Sequence, residues 1–271
     1  MINDILHIFS LDFMQRALLG GILLSVCCAI LGIILVLKQF SMIGDGLSHV
    51  AFGSLAIATL LGFSPLKFTI PIVILSAFFL IRIKESSKIN GDSAIAILSI
   101  TSLAIGVVCI SAKSGANTDV YNYMFGSLLS ITNQDLHYII ILSILIIISY
   151  IYTYNKMFSI TFDENFSKAS GINVELHKII IAILSSLTIV IGMKLMGALL
   201  ISALIIFPAL ISMIICRTFK GVVILSVILS VITFCTGSLL SVIFDTPIGA
   251  TIVVVDFIFF IIFTFVGNLL K

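Results

Sequence analysis

Long apolar stretches separated by short polar breaks dominate this sequence and limit what it can fold into. A helix that crosses the roughly 30 Å hydrocarbon layer of a bilayer needs about 20 residues, and nine stretches approach or exceed that length. They are residues 13–37, 44–62, 68–83, 93–112, 136–154, 179–193, 197–216, 221–244 and 249–270. Because 68–83 and 179–193 are short, the sequence predicts an all-α, polytopic transmembrane bundle of eight or nine spans, a single domain over residues 1–271.

The composition agrees with a chain whose main solvent is lipid. Hydrophobic residues make up 61% of it and charged residues 10%, whereas a soluble domain has roughly 25% charged residues. An outer-membrane barrel is excluded, because it would show runs of about 10 residues with alternating polarity. The sequence also lacks the stripe of basic residues that indicates nucleic-acid binding. Residues 1–13 contain no Lys or Arg, so we expect no signal peptide and a first apolar stretch that stays as a span.

The distribution of Lys and Arg predicts which loops face the cytoplasm. We take the longest polar segment, residues 155–178, as cytoplasmic and let every stretch cross the membrane. The basic residues then inside are Lys38, Arg82, Lys84, Lys88, Lys156, Lys168, Lys178, Arg217, Lys220 and Lys271. Those outside are Arg16, Lys67, Lys113 and Lys194. This excess on one side supports the nine-span count and the cytoplasmic placement of residues 155–178.

An acid and a histidine four residues apart, Asp45 and His49, interrupt the second stretch. Positions i and i+4 lie on the same face of a helix, and a charged side chain at the centre of a spanning helix costs about 2.5–3.5 kcal/mol. Carboxylate oxygen and imidazole nitrogen are ligands for divalent transition metals, and Ser48 adds an oxygen nearby. Three glycines keep this stretch thin: Gly44, Gly46 and Gly53. The alternative is a helix-start Asp at the cytoplasmic edge, stabilised by the helix dipole.

Asp256 lies near the middle of the last stretch. An acid inside the membrane is a candidate functional residue, so Asp256 is a possible member of an ion pathway. It is equally explained as an acid that faces the bundle interior. Together with Asp45 and His49 it also allows a different class of protein, a proton-coupled secondary cation transporter.

The polar segment contains a short amphipathic pattern, from Phe162 to Ile172, that ends at Gly171. Acids, a lysine and aromatic residues followed by Gly predict a short surface helix with a glycine stop. Such a helix is either an ordinary connector or a docking element for a soluble partner. The chain lacks a G-x-x-x-x-G-K-[ST] motif, so we expect it not to bind ATP by that loop.

Four stretches resemble the integral-membrane permease of metal-ion ABC importers, the family that carries zinc, manganese or iron(II). They are residues 41–52 (SMIGDGLSHVAF), 163–172 (DENFSKASGI), 199–209 (LLISALIIFPA) and 245–253 (DTPIGATIV), in the order and spacing of that family. The resemblance implies a fold similar to the cobalamin and siderophore importers and a multi-pass location in the bacterial cytoplasmic (inner) membrane. It also implies a homodimer, a cytoplasmic ABC ATPase dimer that hydrolyses ATP on separate chains, and an extracytoplasmic metal-binding protein.

The resemblance also implies roles for particular residues. Asp45 and His49 would contact the transported metal, which is cargo rather than a permanently bound cofactor. The cytoplasmic loop, about 155–178, would carry the helix that couples the permease to the ATPase. Its implied coupling residues are Asp163, Glu164, Ser167 and Gly171. The family usually has Ala where Ser167 stands, and Asp256 is not part of its pattern. Zinc is the first expectation for the cargo, with manganese or iron(II) as alternatives.

Overall fold

The computed structural model describes residues 11–40, 42–86, 91–112, 126 and 131–269. Within these ranges the chain forms ten α-helices and no strand, so the predicted all-α architecture is confirmed. The helices are α1 (Asp12–Leu37), α2 (Ile43–Leu61), α3 (Pro65–Ser86), α4 (Gly91–Ala112), α5 (Asn133–Phe162), α6 (Glu164–Ala169), α7 (Val174–Met196), α8 (Ala198–Ile215), α9 (Phe219–Phe244) and α10 (Ile248–Leu269). Ser41, Lys88, Lys113 and Lys271 lie outside the described residues.

Eight of these helices are long and apolar enough to cross a membrane, and α3 contains a shorter apolar stretch, Pro65–Leu80. The prediction of eight or nine spans is therefore confirmed. Helix α3 is longer than its apolar stretch suggested, because polar residues at both of its ends continue the helix.

The polar segment 155–178 is mostly helical, and the expectation of a long loop there was wrong. Helix α5 continues to Phe162 and α7 begins at Val174, so residues 163–173 alone connect them. The end of α5 contains no Gly or Pro, and Met157 and Ile160 bury their side chains against the bundle. That burial stabilises helix beyond the apolar stretch, which polarity alone does not reveal.

Close contacts between small residues hold α1 and α2 at the inside of the bundle. Helix α2 packs against α3, α4, α7 and α8. Gly32 on α1 contacts the backbone of Ile205 on α8, and a methyl group added at Gly53 would lie 2.5 Å from the carbonyl oxygen of Ser102 on α4. Small residues allow such approach in membranes, where apolar surface gains nothing by leaving lipid. These contacts hold α2 close against the backbones of its neighbouring helices.

Charged side chains gather at the two ends of the bundle in the groups predicted from the sequence. At one end Arg16 donates to the side chain of Asn133 at 3.1 Å, and Lys194 donates to Asp135 at 2.9 Å. Lys38, Lys168 and Lys178 surround an acid at the other end. The structure thus separates basic residues assigned to the outside from those assigned to the cytoplasm.

Candidate functional site

Asp45 and His49 lie in the first two turns of α2 and share one face, as their spacing predicts. The Nε2 atom of His49 lies 3.6 Å from the Oδ1 atom of Asp45, an ion-pair distance longer than an ordinary hydrogen bond. The Asp45 side chain is 44% exposed and that of His49 is 20% exposed. On a helix whose other faces are largely buried, this pair forms the open polar surface.

The start of α2 fits the helix-start alternative as well as the shared face. Asp45 stands in the first turn, where the unpaired N–H groups of the helix favour a negative charge. The helix dipole therefore stabilises the carboxylate without occupying its oxygens. A stabilised but accessible carboxylate is compatible with binding a cation.

The remaining faces of this segment are packed inward. A methyl group added at Gly44 would lie 3.1 Å from the Ile205 side chain, and one added at Gly46 would lie 2.6 Å from Ile95. Ser48 is fully buried, and its hydroxyl donates to the carbonyl oxygen of Asp45 at 2.7 Å. The structure therefore does not bring the Ser48 hydroxyl to the open surface with the pair.

The pair supplies two metal-ligating side chains, an oxygen and a nitrogen donor. Among the described residues no group of three or more His, Cys, Asp or Glu side chains is close enough to hold a metal ion. Divalent transition metals commonly take four or more ligands. One copy of the chain therefore offers half a tetrahedral shell and leaves room for further donors.

Asp256 is fully buried on α10, and neither of its carboxylate oxygens has a hydrogen-bond partner. Thr233 of α9 lies beside the carboxyl, but its hydroxyl donates to the carbonyl oxygen of Ser230 at 3.3 Å. The structure therefore agrees with an acid that faces the bundle interior.

Helix α8 lies between the helix of Asp256 and the helix of Asp45. Its Ile205 contacts α1 and α2, whereas its Phe207 contacts the rings of Phe257 and Phe260 on α10. Residues two apart on a helix point roughly 200° away from each other. The structure thus does not bring Asp256 to the face that carries Asp45 and His49. A proton pathway through all three residues, as in the proton-coupled transporter, would require them to lie together.

The predicted short surface helix is α6, and local hydrogen bonds define both of its ends. The side chain of Asp163 caps it by accepting from the backbone N–H of Phe166 at 2.9 Å. Gly171 has a left-handed φ of 80°, and the following Ile172 N–H donates to the carbonyl of Ser167 at 3.0 Å. The glycine stop is confirmed, because a side chain at that φ would be strained.

Ser167 faces away from solvent and toward α5. Its side chain is fully buried, and its hydroxyl lies 2.9 Å from that of Ser159 at the end of α5. The departure from the usual Ala therefore falls on the inner side of α6. On the outer side of α6, Phe166 is 63% exposed, and Phe162 at the end of α5 is 64% exposed.

Glu164 is the centre of a cluster of three lysines, which we call the Glu164 junction: Glu164, Lys38, Lys168 and Lys178. Its Oε1 atom lies 2.7 Å from Lys178 Nζ and 2.9 Å from Lys168 Nζ, and its Oε2 atom lies 3.4 Å from Lys38 Nζ. Burial raises the pKa of the carboxyl, but the hydrogen bonds from Lys178 and Lys168 outweigh it and lower the pKa to about 2. Glu164 is therefore ionised at neutral pH.

Sequence reasoning did not foresee the part that Lys38 and Lys178 play in this junction. They were expected only as basic residues at cytoplasmic helix ends. Their signal was present as lysines next to helix termini, but pairing with Glu164 depends on how α1, α6 and α7 meet.

Comparisons with known proteins agree with this architecture. The ABC 3 transport family matches residues 10–267 of the chain. The chain is 31% identical over 254 residues to the high-affinity zinc uptake system membrane protein ZnuB of Haemophilus influenzae, covering 94% of this chain and 97% of that protein. It is 27% identical over 249 residues to the manganese transport system membrane protein MntC of Halalkalibacterium halodurans, covering 92% and 85%.

A solved structure is similar over nearly the whole chain. The structure described as PsaBC from Streptococcus pneumoniae in complex with Fab has a TM-score of 0.86 and 26% sequence identity, and the match covers 97% of this chain and 95% of that one. Fold and membrane spans together define a multi-pass transport protein of the inner membrane. The chain belongs to the ABC 3 transport family.

Proposed function

We propose that this chain is the membrane permease of an ATP-driven importer of a divalent metal ion, zinc in the first place. The observation that carries the proposal is the Asp45–His49 pair, an oxygen and a nitrogen donor on the open face of an otherwise packed helix. Membership of a transport family and similarity to a zinc uptake membrane protein support it.

A transport site has to release its ion as readily as it accepts it. Two donors that lie 3.6 Å apart and are partly open to solvent provide a weaker site than a closed tetrahedral shell. In the proposed homodimer the second copy would contribute a second pair. The metal would pass this site as cargo and would not remain bound as a cofactor.

The proposed partners lie at opposite ends of the bundle. The cytoplasmic ATPase dimer would dock on α6, the coupling helix formed with Asp163, Glu164, Ser167 and Gly171, and the exposed rings of Phe162 and Phe166 would provide its apolar contact. The extracytoplasmic metal-binding protein would deliver the ion at the end that carries Arg16 and Lys194.

Zinc is proposed ahead of manganese and iron(II) because the zinc uptake relative shares 31% of aligned residues, against 27% for the manganese relative. An oxygen and nitrogen ligand set suits all three ions, so both alternatives remain part of the proposal. Growth of a deletion strain with zinc, manganese or iron supplied one at a time would identify the cargo.

Uptake measurements on two alanine variants test the proposed pathway. Asp45→Ala and His49→Ala should each abolish metal uptake while the amount of permease in the membrane stays at the wild-type level. Asp92→Ala, which removes an exposed carboxylate at the start of α4, serves as the matched control and should transport normally. Wild-type uptake in both test variants would remove the pair from the pathway.

The energy source is tested separately. Uptake by the reconstituted complex should require ATP and continue when the proton gradient is collapsed. Uptake that needs a proton gradient and no ATP would instead favour the proton-coupled transporter.

A further inference from the structure

The Glu164 carboxylate faces into the protein and connects α6 to two spanning helices. Lys178 belongs to the second turn of α7, and Lys38 caps the end of α1. The Lys178 side chain is only 13% exposed and that of Lys38 is 21% exposed, so solvent screens these ion pairs less than it screens pairs on an open surface. Glu164 therefore contacts the bundle through Lys178 and Lys38, in addition to Lys168 of α6 itself.

The ion pair between Glu164 and Lys38, at the end of α1, borders a cavity. A cavity of about 230 Å³ lies beneath α6, and its wall includes Lys38, Phe40, Glu164 and Lys178. Helix α6 packs directly against α5 and α7, whereas Glu164 reaches Lys38 at the edge of this cavity. The ion pair between Glu164 and Lys38 therefore gives α6 a direct contact with the end of α1 across this cavity.

Backbone hydrogen bonds connect the end of α1, next to Lys38, with the start of α2, which carries the candidate metal site. Gln39 adopts a left-handed φ of 58°, and the N–H of Phe40 donates to the carbonyl of Leu35 at 2.7 Å. The N–H of Ile43 then donates to the carbonyl of Phe40 at 2.9 Å. Helix α2 begins there, and Asp45 lies in its first turn. These two hydrogen bonds thus link the end of α1, where Lys38 lies, to the start of the helix that carries Asp45.

We infer that Glu164 is a positioning residue that transmits movement of α6 to Asp45 through Lys38 and the turn at Gln39 and Phe40. The inference rests on the proposed function, in which nucleotide binding by the ATPase moves α6. In this inference Glu164 acts on the inner side of α6, and the exposed rings of Phe162 and Phe166 contact the ATPase. When the lysine link is cut, ATP hydrolysis should continue without moving the metal site.

The test uses the full permease reconstituted in proteoliposomes with its ATPase and metal-binding protein, and it measures zinc ions taken up per ATP hydrolysed. Lys38→Met removes the charge but keeps a long side chain. It should lower this ratio by about 2- to 30-fold, the range of coupling effects along such networks, while ATPase activity stays within about twofold of wild type. Lys38→Arg keeps charge and reach and should restore the ratio.

The matched control is Lys156→Met, which removes an exposed lysine that lies over the ring of Tyr152 at the same end of the bundle. Its ratio should equal that of wild type. Glu164→Gln should lower the ratio as Lys38→Met does, because both changes cut the same link.

Three outcomes would overturn the inference. They are an unchanged ratio in Lys38→Met, a ratio that Lys38→Arg fails to restore, or parallel loss of ATPase activity and uptake, which would indicate impaired assembly rather than impaired transmission. If the wild-type complex shows no ATP-dependent uptake, the proposed function fails, and the inference fails with it. That last result is distinct from the others because it appears before any variant is made.

Discussion

The Asp45–His49 pair and the Glu164 junction are both built from acids near helix ends, but they are held in opposite ways. The pair is a single contact of 3.6 Å between side chains of one helix, and its acid is nearly half exposed. Glu164 has three lysine partners at 2.7, 2.9 and 3.4 Å that belong to three different elements. The proposed transport site is thus short of contacts, as release of a cargo would require, whereas the proposed coupling link has several.

The two regions also differ in what holds their backbone. Helix α2 is positioned by close contacts of glycines with α4 and α8, so it needs no charge to stay in place. The position of α6 depends on caps, on the buried hydroxyl of Ser167 and on ion pairs. Removing charge should therefore affect transport in the first region and coupling in the second.

The largest effect is expected for Asp45→Asn, which removes the charge but keeps the shape of the side chain. A neutral amide is a poor ligand for a divalent transition metal, so uptake should fall by at least about 10- to 100-fold, the loss already seen when residues that only orient a metal ligand are changed. Membrane levels should not change. Uptake is measured in vesicles with labelled zinc. Uptake above a tenth of wild type would mean that the Asp45 charge does not act on the cargo. The proposed difference in role between the Asp45–His49 pair and the Glu164 junction would then not hold.

The next effect concerns the packing that holds α2. Gly53→Ala puts a methyl group 2.5 Å from the Ser102 carbonyl oxygen, and moving one helix to relieve it should cost about 1–3 kcal/mol. Thermal unfolding in detergent should occur at a lower temperature than in wild type. The neighbouring Ser54→Ala removes a hydroxyl bonded within its own helix and should cost less than about 1 kcal/mol. Equal melting of Gly53→Ala and wild type would show that α2 is not held by this contact.

A smaller change is expected in metal preference. His49→Asp replaces the nitrogen donor by a carboxylate, and an all-oxygen ligand pair favours manganese over zinc. Competition between the two ions for the purified permease should shift toward manganese. His137→Asp, at the other end of the bundle, should leave the competition unchanged. If both variants keep the wild-type preference, His49 does not contact the ion.

The smallest effect is a pH dependence of stability at the Glu164 junction. Because the folded protein holds the pKa of Glu164 at about 2, below its ordinary 4.5, its contribution is present above about pH 4.5 and is lost as the pH falls toward about 2. Glu164→Gln should lower the melting temperature by no more than about 3 °C above pH 5, and the difference should shrink below about pH 4.5. A difference that grows as the pH falls would contradict the assigned ion pairs.

Residue spacing and the length of apolar stretches were sufficient to predict the Asp45–His49 face, but they were insufficient to predict the Glu164 junction. The shared face of Asp45 and His49 follows from their spacing, the spans follow from the length of the apolar stretches, and the stop at Gly171 follows from glycine itself. The partner of Glu164 on α1 does not, because Lys38 lies 126 positions away in the sequence. The end of α5 was missed for a related reason, since its helix depends on Met157 and Ile160 packing against other helices.

The sequence alone does not predict the inward turn of Ser48, and for Asp256 it leaves a pathway acid and an interior acid equally open. Both are polar residues next to apolar ones, and polarity made both of them candidates for the pathway. Which way a polar side chain turns inside a bundle is decided by the helices around it. In this fold α8 stands between Asp256 and the pair, and Ser48 turns inward.

The central claim is that Asp45 and His49 contact the transported ion, and X-ray absorption on the zinc-loaded, purified permease tests it most directly. The account predicts that the ligands around zinc include imidazole nitrogen in the wild type. His49→Ala should lose this nitrogen, and Asp45→Ala should bind zinc with lower affinity. A zinc shell that keeps its imidazole signal in His49→Ala, with unchanged affinity in Asp45→Ala, would contradict the account.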